Sequence, residues 1–303
     1  MLLVTGATGR VGAALIAAMR GNALRAAGRE TRQADGPVEW VKFDFTAPSS
    51  YPSALDGVTA VFLIRPPQMA DAKAFIPFLD ALQERKIQRV VLLSVKGADT
   101  NPILPHHGLE KLVQTPAFDW TILRPSDFMQ NLETVHRDDI RDRDEIAVPA
   151  GDGKSAFIDV DDIGVFAAKT LQEDGHVGKG YVLTGPQALS WDAVADVLSQ
   201  VLGRQISYRR PNVVRFIWEQ HRNGVPLPMA LIMTALYTVQ RFGGAAETTG
   251  ELETLLGRPS TPLIDYVARQ KQAWQSLRAH RETPNRAASG KTGHHQTPDQ
   301  TPK

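Results

Sequence analysis

The sequence predicts an α/β fold, a doubly wound parallel sheet with a smaller, mainly helical C-terminal lobe. Three observations carry this. Apolar runs of strand length alternate with stretches of helical spacing from the first residue onward. Those runs are almost continuously hydrophobic, as strands covered on both faces must be. A glycine-rich turn, Gly6-Ala-Thr-Gly9-Arg-Val-Gly12, separates the first such run from the first helical stretch.

The elements follow in order. Leu2–Thr5 is the first strand and the alanine-rich Ala13–Arg20 the first helix. Asn22–Ala27 and Val38–Phe43 read as the second and third strands. Val58–Ile64 is the fourth, stopped by Arg65-Pro66-Pro67, because proline has no N–H for a central ladder. Phe75, Phe78, Leu79 and Leu82 recur with helical spacing in Lys73–Gln83. Val90–Leu93 is a strand, Gly108–Gln114 a helix, and Trp120–Leu123 a strand that ends at Arg124-Pro125. After about residue 125 the pattern loosens. His136–Glu145 holds eight charged residues in ten and reads as a solvated surface segment, with a mobile lid as the alternative. Tyr181–Thr184 is a late strand, Ser190 opens a helix through Leu202, and residues 211–270 are mainly helical. The expected organisation is a nucleotide-binding domain over 1–150, completed by 151–205, a helical substrate lobe over 206–280 and a disordered tail over 281–303.

Composition narrows the function classes. In 303 residues, 34 Lys and Arg oppose 33 Asp and Glu, a net charge of +1. Residues 281–303 hold four basic and two acidic side chains, which leaves residues 1–280 at −1. A surface without net positive charge argues against nucleic acid as a partner. The chain has no cysteine, which excludes disulfides, thiolate metal sites and thiol nucleophiles. No apolar run approaches the ~20 residues of a membrane span, and the chain reaches Gly6 without a basic leader. The expectation is a soluble, cytoplasmic protein that engages no membrane.

The glycine turn is the most informative feature. Gly6 permits a tight turn, Gly9 admits the backbone to a pyrophosphate, and Gly12 allows helix and strand to pack closely. Phosphates would meet the free N–H groups and positive dipole end of the helix across Gly6, Thr8, Gly9, Arg10, Val11 and Gly12. Strand before and helix after satisfy the context a dinucleotide site needs. Past the second strand the chain is basic, Arg25-Ala-Ala-Gly28-Arg29-Glu30-Thr-Arg32. Arg29, helped by Arg10, suits the 2′-phosphate of NADP(H) through forked donors. Glu30 is the counter-candidate and would favour NAD(H). Asp44 and Phe45 follow the third strand, where Asp44 either bonds the adenine or starts a turn. Leu63, Arg65 and Pro66 close the fourth strand above the same site.

These residues carry a resemblance. Thr5-Gly-Ala-Thr-Gly-Arg-Val-Gly12 resembles the fingerprint of atypical and extended short-chain dehydrogenase/reductases. Thr121-Ile-Leu-Arg124-Pro125-Ser-Asp-Phe128-Met129-Gln-Asn131 is similar to the segment after the last core strand in the NmrA-like branch. Phe157–Ile163, Leu183–Pro186 and Leu255–Pro259 match later segments, so the similarity runs over about residues 2 to 270. The branch includes NAD(P)H-dependent quinone reductases, reductases of ergot-alkaloid intermediates and of triphenylmethane dyes, and nucleotide-binding redox regulators. The resemblance therefore implies either a reductase or a sensor that acts through a protein partner.

Catalytic candidates depart from the orthodox pattern. The tyrosines are Tyr51, Tyr181, Tyr208, Tyr237 and Tyr266, and none has lysine four residues on. In place of Tyr-x-x-x-Lys stands Pro105-His106-His107-Gly108-Leu109-Glu110-Lys111. Two registers are open: His107 with Lys111, and His106 with Glu110, the latter similar to the His-x-x-x-Glu of several NmrA-like reductases. Either pair would share a helix face, and imidazole is a proton donor near neutrality. Ser94, at the end of Val90–Leu93, either orients a substrate oxygen or caps the strand. A site without the tyrosine suits an acceptor that needs no strong acid, such as a quinone, an iminium or a conjugated cation. Phe128, Met129 and Asn131, with Trp218 and its helical neighbours Phe216, Met229, Met233 and Tyr237, are candidate walls for a small aromatic substrate. Asp159, Asp161 and Asp162 lack a partner at metal-ligand spacing, and Asp161 or Asp162 is better placed as a helix N-cap. No metal is expected.

Overall fold

The computed structural model describes residues 1–30, 32–33 and 36–275. The expected tail over 281–303 lies outside the described residues. Eleven strands occur among the described residues: β1 (Leu2–Val4), β2 (Leu24–Gly28), β3 (Val38–Lys42), β4 (Ala60–Ile64), β5 (Arg89–Leu93), β6 (Asp119–Pro125), β7 (Glu145–Ala147), β8 (Lys154–Ser155), β9 (Lys179–Leu183), β10 (Leu189–Ser190) and β11 (Ser207–Arg209). The main sheet has the order β3-β2-β1-β4-β5-β6-β9 and every pairing is parallel. The first six strands give the Rossmann order, which reverses direction between β1 and β4 and opens a crevice at the carboxyl ends.

Alternation along the strands sorts side chains into two cores. Leu2, Val4, Phe62, Val91 and Leu123 point to one face, under α1 (Arg10–Ala18) and, later in the chain, α6 (Val160–Gln172). Leu3, Val61, Leu63, Val90 and Ile122 point to the other. There α2 (Tyr51–Leu55), α3 (Ile76–Glu84) and α4 (Pro105–Val113) cover them with Phe78, Leu79, Leu82 and Leu109. Gly164 of α6 rests on α1, where a Cβ would come within 2.6 Å of Ala14 carbonyl carbon. α1 begins at Arg10, three residues earlier than the apolar spacing predicts, because Gly9 already adopts the capping conformation.

A third core forms the lobe. Met129, Ile146, Trp191, Phe216, Tyr237 and Trp274 meet in it, so the helices expected to stand over 206–280 share their interior with segments from 129 onward. The helices here are α5 (Arg137–Arg143), α7 (Trp191–Leu202), α8 (Val213–Arg222), α9 (Leu227–Arg241) and α11 (Leu263–Arg269), whereas α10 (Glu251–Leu256) packs Leu252 into the first core. The charges of the run His136–Glu145 lie at the surface as expected, and the segment folds as α5 followed by β7. Asp138 and Asp139 in its first turn and Arg141 and Arg143 in its last complement the helix dipole, while Ile140 and His136 are buried. Two short pairings, β7 with β11 and β8 with β10, link these segments. They are too short to leave a periodic signal in the sequence. No helix among the described residues is long and apolar enough to cross a membrane.

Candidate functional site: a glycine-lined dinucleotide cradle beside a buried Ser–Glu–Arg lock

The cradle is built at the carboxyl ends of β1 and β4. Thr5 Oγ1 donates to the Phe62 carbonyl at 3.1 Å and accepts from the Ile64 amide at 2.7 Å, which pins the turn to the neighbouring strand. Gly6 has φ of +60°, a left-handed conformation that disfavours any side chain, and a Cβ there would lie 3.1 Å from Ile64 Cβ. Gly9 donates to the Gly6 carbonyl at 2.9 Å. At Gly12 a Cβ would sit 2.5 Å from that same carbonyl oxygen and 2.8 Å from Ala7 Cα. The three glycines therefore hold the backbone in a tight ring. α1 starts directly from it with no side-chain cap and no acidic residue in its first turn. Its leading N–H groups and dipole are left to an anion, so these residues fit a pyrophosphate.

The end of β2 borders the cradle, since the Cβ position at Gly28 lies 3.7 Å from Thr8 Cγ2. Arg29 follows and is exposed, as is Glu30. Asp44 Oδ1 accepts from the Thr46 amide and hydroxyl, both at 2.8 Å, so its carboxylate closes a turn. Those bonds, with Arg29 nearby, hold its pKa below the ordinary value. Phe45 is buried among Phe43, Phe75 and Phe78, and Leu63 is buried in the second core. Arg10 does not turn toward Arg29. It pairs with Glu133 at 2.5 Å, which joins the start of α1 to the 3-10 turn Met129–Glu133.

The histidine helix departs from both expected registers. Glu110 is almost fully buried and takes a forked hydrogen bond from Arg124, Nε at 3.0 Å and Nη2 at 2.7 Å, plus one from the Ser94 hydroxyl. It is not paired with His106. Burial opposes the charge of Arg124, but these bonds outweigh burial and raise its pKa. Gly180 on β9 makes room, because a Cβ there would fall 2.3 Å from Arg124 Nη1. The lock ties β5, α4 and β6 together through Ser94, Glu110 and Arg124.

His106 faces Arg65 instead, whose Nε lies 3.4 Å from its Nε2. The rest of the Arg65 guanidinium donates to the carbonyls of Pro66, Pro67 and Met69, at 3.1, 3.2 and 2.8 Å. Burial, helped by that neighbouring cation, pushes His106 down to about 4. Near neutral pH it is an uncharged imidazole whose Nε2 is an acceptor. His107 Nδ1 sits 2.7 Å from the Ala98 carbonyl, so this nitrogen carries a proton and donates it there. Lys111 is exposed on α4. Gly108 lets α4 close on the preceding segment, with its Cβ position 2.8 Å from Ala72 Cβ.

The expected substrate residues divide. Phe128 and Asn131 are half-buried after β6, Met129 is interior to the third core, and Trp218 is exposed on α8 beneath Arg222. Phe216 and Tyr237 are core, not wall. Asp159, not Asp161 or Asp162, caps α6 by accepting from the Asp161 amide, and it also pairs with Arg269. Asp162 accepts from Arg258 at 2.6 Å and the Thr261 amide at 2.7 Å.

Sequence reasoning missed the part played by Arg124 and a network behind β6. Asp127 accepts from the Ser155 hydroxyl and from Gln240 Nε2 at 2.9 Å, Gln240 in turn accepts from the Trp191 indole at 2.8 Å, and His136 lies 3.0 Å from the Tyr237 hydroxyl. Burial raises Asp127 and lowers His136 to about 4. An arginine inside an apolar strand was a usable signal, because such a charge requires a buried partner.

Parallel sheet, strand order and glycine cradle define a dinucleotide-binding protein of the short-chain dehydrogenase type, without that group's tyrosine–lysine pair. Residues 1–267 match the NmrA-like family, and the chain belongs to it. The agroclavine dehydrogenase of Claviceps fusiformis is 31% identical over 232 residues, 74% of this chain and 79% of that one. Two solved structures share the architecture. The triphenylmethane reductase of Citrobacter sp. in complex with NADP(H) has a TM-score of 0.79 at 26% identity, covering 90% of this chain and all of the other. The NADPH-dependent quinone oxidoreductase of Escherichia coli with NADPH has a TM-score of 0.81 at 25% identity, covering 89% and 100%.

Proposed function

We propose that this chain is an NADP(H)-dependent reductase that delivers hydride to a quinone, an iminium or another conjugated aromatic acceptor. One observation carries the choice of acceptor: the site offers no strong acid. Glu110 is committed to Arg124 and Ser94, His106 is uncharged near neutrality, and no tyrosine has a lysine four residues on. A simple ketone needs a proton on its oxygen as hydride arrives, whereas an electrophilic ring or iminium carbon accepts hydride directly. Reductases of quinones and of triphenylmethane dyes among the structural relatives agree with this chemistry.

When bound, the nicotinamide supplies the hydride. The backbone of Gly6–Gly12 holds the pyrophosphate, and Arg29 at the end of β2 takes the 2′-phosphate that distinguishes NADP(H) from NAD(H). Arg65 and Pro66 close the cleft over the carboxyl end of β4. Neutral His106 and the Nε2 edge of His107 orient a polar edge of the acceptor, and water returns any proton the product needs. The test is loss of NADPH absorbance, with NADH in parallel, against quinones, iminium compounds and cationic dyes. Rapid oxidation with one acceptor class is expected. Tight NADPH binding with no turnover on any of them would overturn the reading in favour of a nucleotide-bound sensor.

A further inference from the structure

The largest feature left without a role lies on α8 and α9. Along α9, Ala230, Thr234, Tyr237 and Gln240 are buried. On the far side, Leu231, Ile232, Leu236 and Val239 are each at least half exposed, and Phe242, just past the helix, is 81% exposed. Leu227–Gln240 contains no charged residue. A helix whose outward face is apolar and carries no charge belongs in an interior. The neighbouring α8, which packs on α9, adds Trp218, 56% exposed.

Of 16 large apolar side chains exposed among the described residues, 10 fall between Val213 and Phe242, and the other six are scattered from Met1 to Ile264. The ten present on the order of 1,000 Å² of apolar surface, against the roughly 800 Å² per partner of a stable interface and the few hundred Å² a monomer leaves open. What covers such a face must itself be apolar. Residues 276–303 contain one leucine and no aromatic, so that segment lacks the side chains to do it. Helices that lie on lipid carry a strongly basic face opposite the apolar one, whereas the opposite face of α9 is protein core and its single cation is Arg241. The one apolar surface of matching size among the described residues is this face itself.

We infer that two copies of this chain pair through the outer faces of α9 and α8 in a two-fold contact. The symmetry follows because one patch serves both sides, so each residue meets its own surface in the partner. Arg222 stacks on Trp218 and falls at the rim, where its charge stays hydrated.

The experiment is sedimentation or light scattering on the full chain from about 1 to 100 μM, a span that reads dissociation constants of micromolar or tighter. Wild type is expected at twice the chain mass. Ile232→Glu with Val239→Glu is expected to weaken association at least about thirtyfold, as for loss of a central anchor, with NADPH affinity unchanged. Phe242→Ser, outside the helix, is a second variant that leaves α9 intact and is expected to weaken association in the same direction. A wild-type monomer throughout the range would overturn the inference, as would variants that associate like wild type. A monomer that binds phosphatidylserine vesicles would also overturn it and assign the face to lipid.

Discussion

Replacing Glu110 with glutamine separates a structural carboxylate from a catalytic one. The substitution keeps size and one acceptor oxygen, but it removes the charge and turns an amide N–H₂ toward the donors of Arg124. In the native protein Glu110 is 1% exposed and Arg124 9% exposed, with contacts at 2.7 to 3.2 Å. Breaking a buried pair from one side leaves an uncompensated charge and costs about 3–5 kcal/mol. Glutamine retains part of the hydrogen bonding, so about 3 kcal/mol is expected, roughly a hundredfold in the folding equilibrium. Urea unfolding followed by tryptophan fluorescence reads this directly. Ser94→Ala is the control. It removes only the hydroxyl donor and should cost about 1 kcal/mol. Glu110→Leu combined with Arg124→Met removes both charges and should recover most of the loss, because well-packed apolar pairs often equal buried ion pairs. A Glu110→Gln protein that unfolds within about 0.5 kcal/mol of wild type but has lost turnover would refute the argument and make Glu110 a catalytic group.

Further outcomes follow from other sites. Arg29→Glu should weaken NADPH at least about tenfold and NADH by less than about threefold, measured by nucleotide fluorescence, since only the 2′-phosphate needs the cation; equal losses would remove Arg29 from coenzyme choice. His106→Gln should keep kcat/KM within about threefold of wild type with an unchanged pH profile, because an imidazole at about 4 does not titrate near neutrality; an acid limb near pH 6.5 that vanishes in the variant would contradict this. His136, fully buried and lowered to about 4, binds a proton in the unfolded chain from about pH 6.5 downward but in the folded chain only near 4. Stability should therefore fall as pH drops across that window, by about 3 kcal/mol in all, and His136→Phe should flatten the slope. Gly12→Ala forces a Cβ to within 2.5 Å of the Gly6 carbonyl oxygen, so a loss of about 1–3 kcal/mol should accompany loss of NADPH binding in calorimetry; unaltered binding would show that the ring of glycines is not the cradle.

The strand–helix alternation, the parallel sheet and the glycine cradle were legible from residue order alone. Buried parallel strands leave continuous apolar runs, and a close approach of backbone to phosphate demands glycine at set intervals, so both are local signals. A helix over Gly108–Gln114 was legible too, and it begins at Pro105, but pairing along it was not. Which partner each side chain takes is not a local property. Spacing offered Glu110 to His106, but β6 delivers Arg124 from 14 residues further along, and a forked buried ion pair outweighs any contact with a neutral imidazole. In the same way β4 brings Arg65 to His106 across 41 residues, and α9 brings Tyr237 to His136 across 101. The charged run from His136 looked like surface because its charges are exposed, while the two residues that anchor it, His136 and Ile140, are a minority in the sequence. The sequence by itself determined the fold class and the nucleotide cradle, because periodicity and glycine act on neighbours. Only the tertiary structure decided which of the ionisable residues remain free for chemistry, because burial and pairing depend on what distant segments bring to the same place.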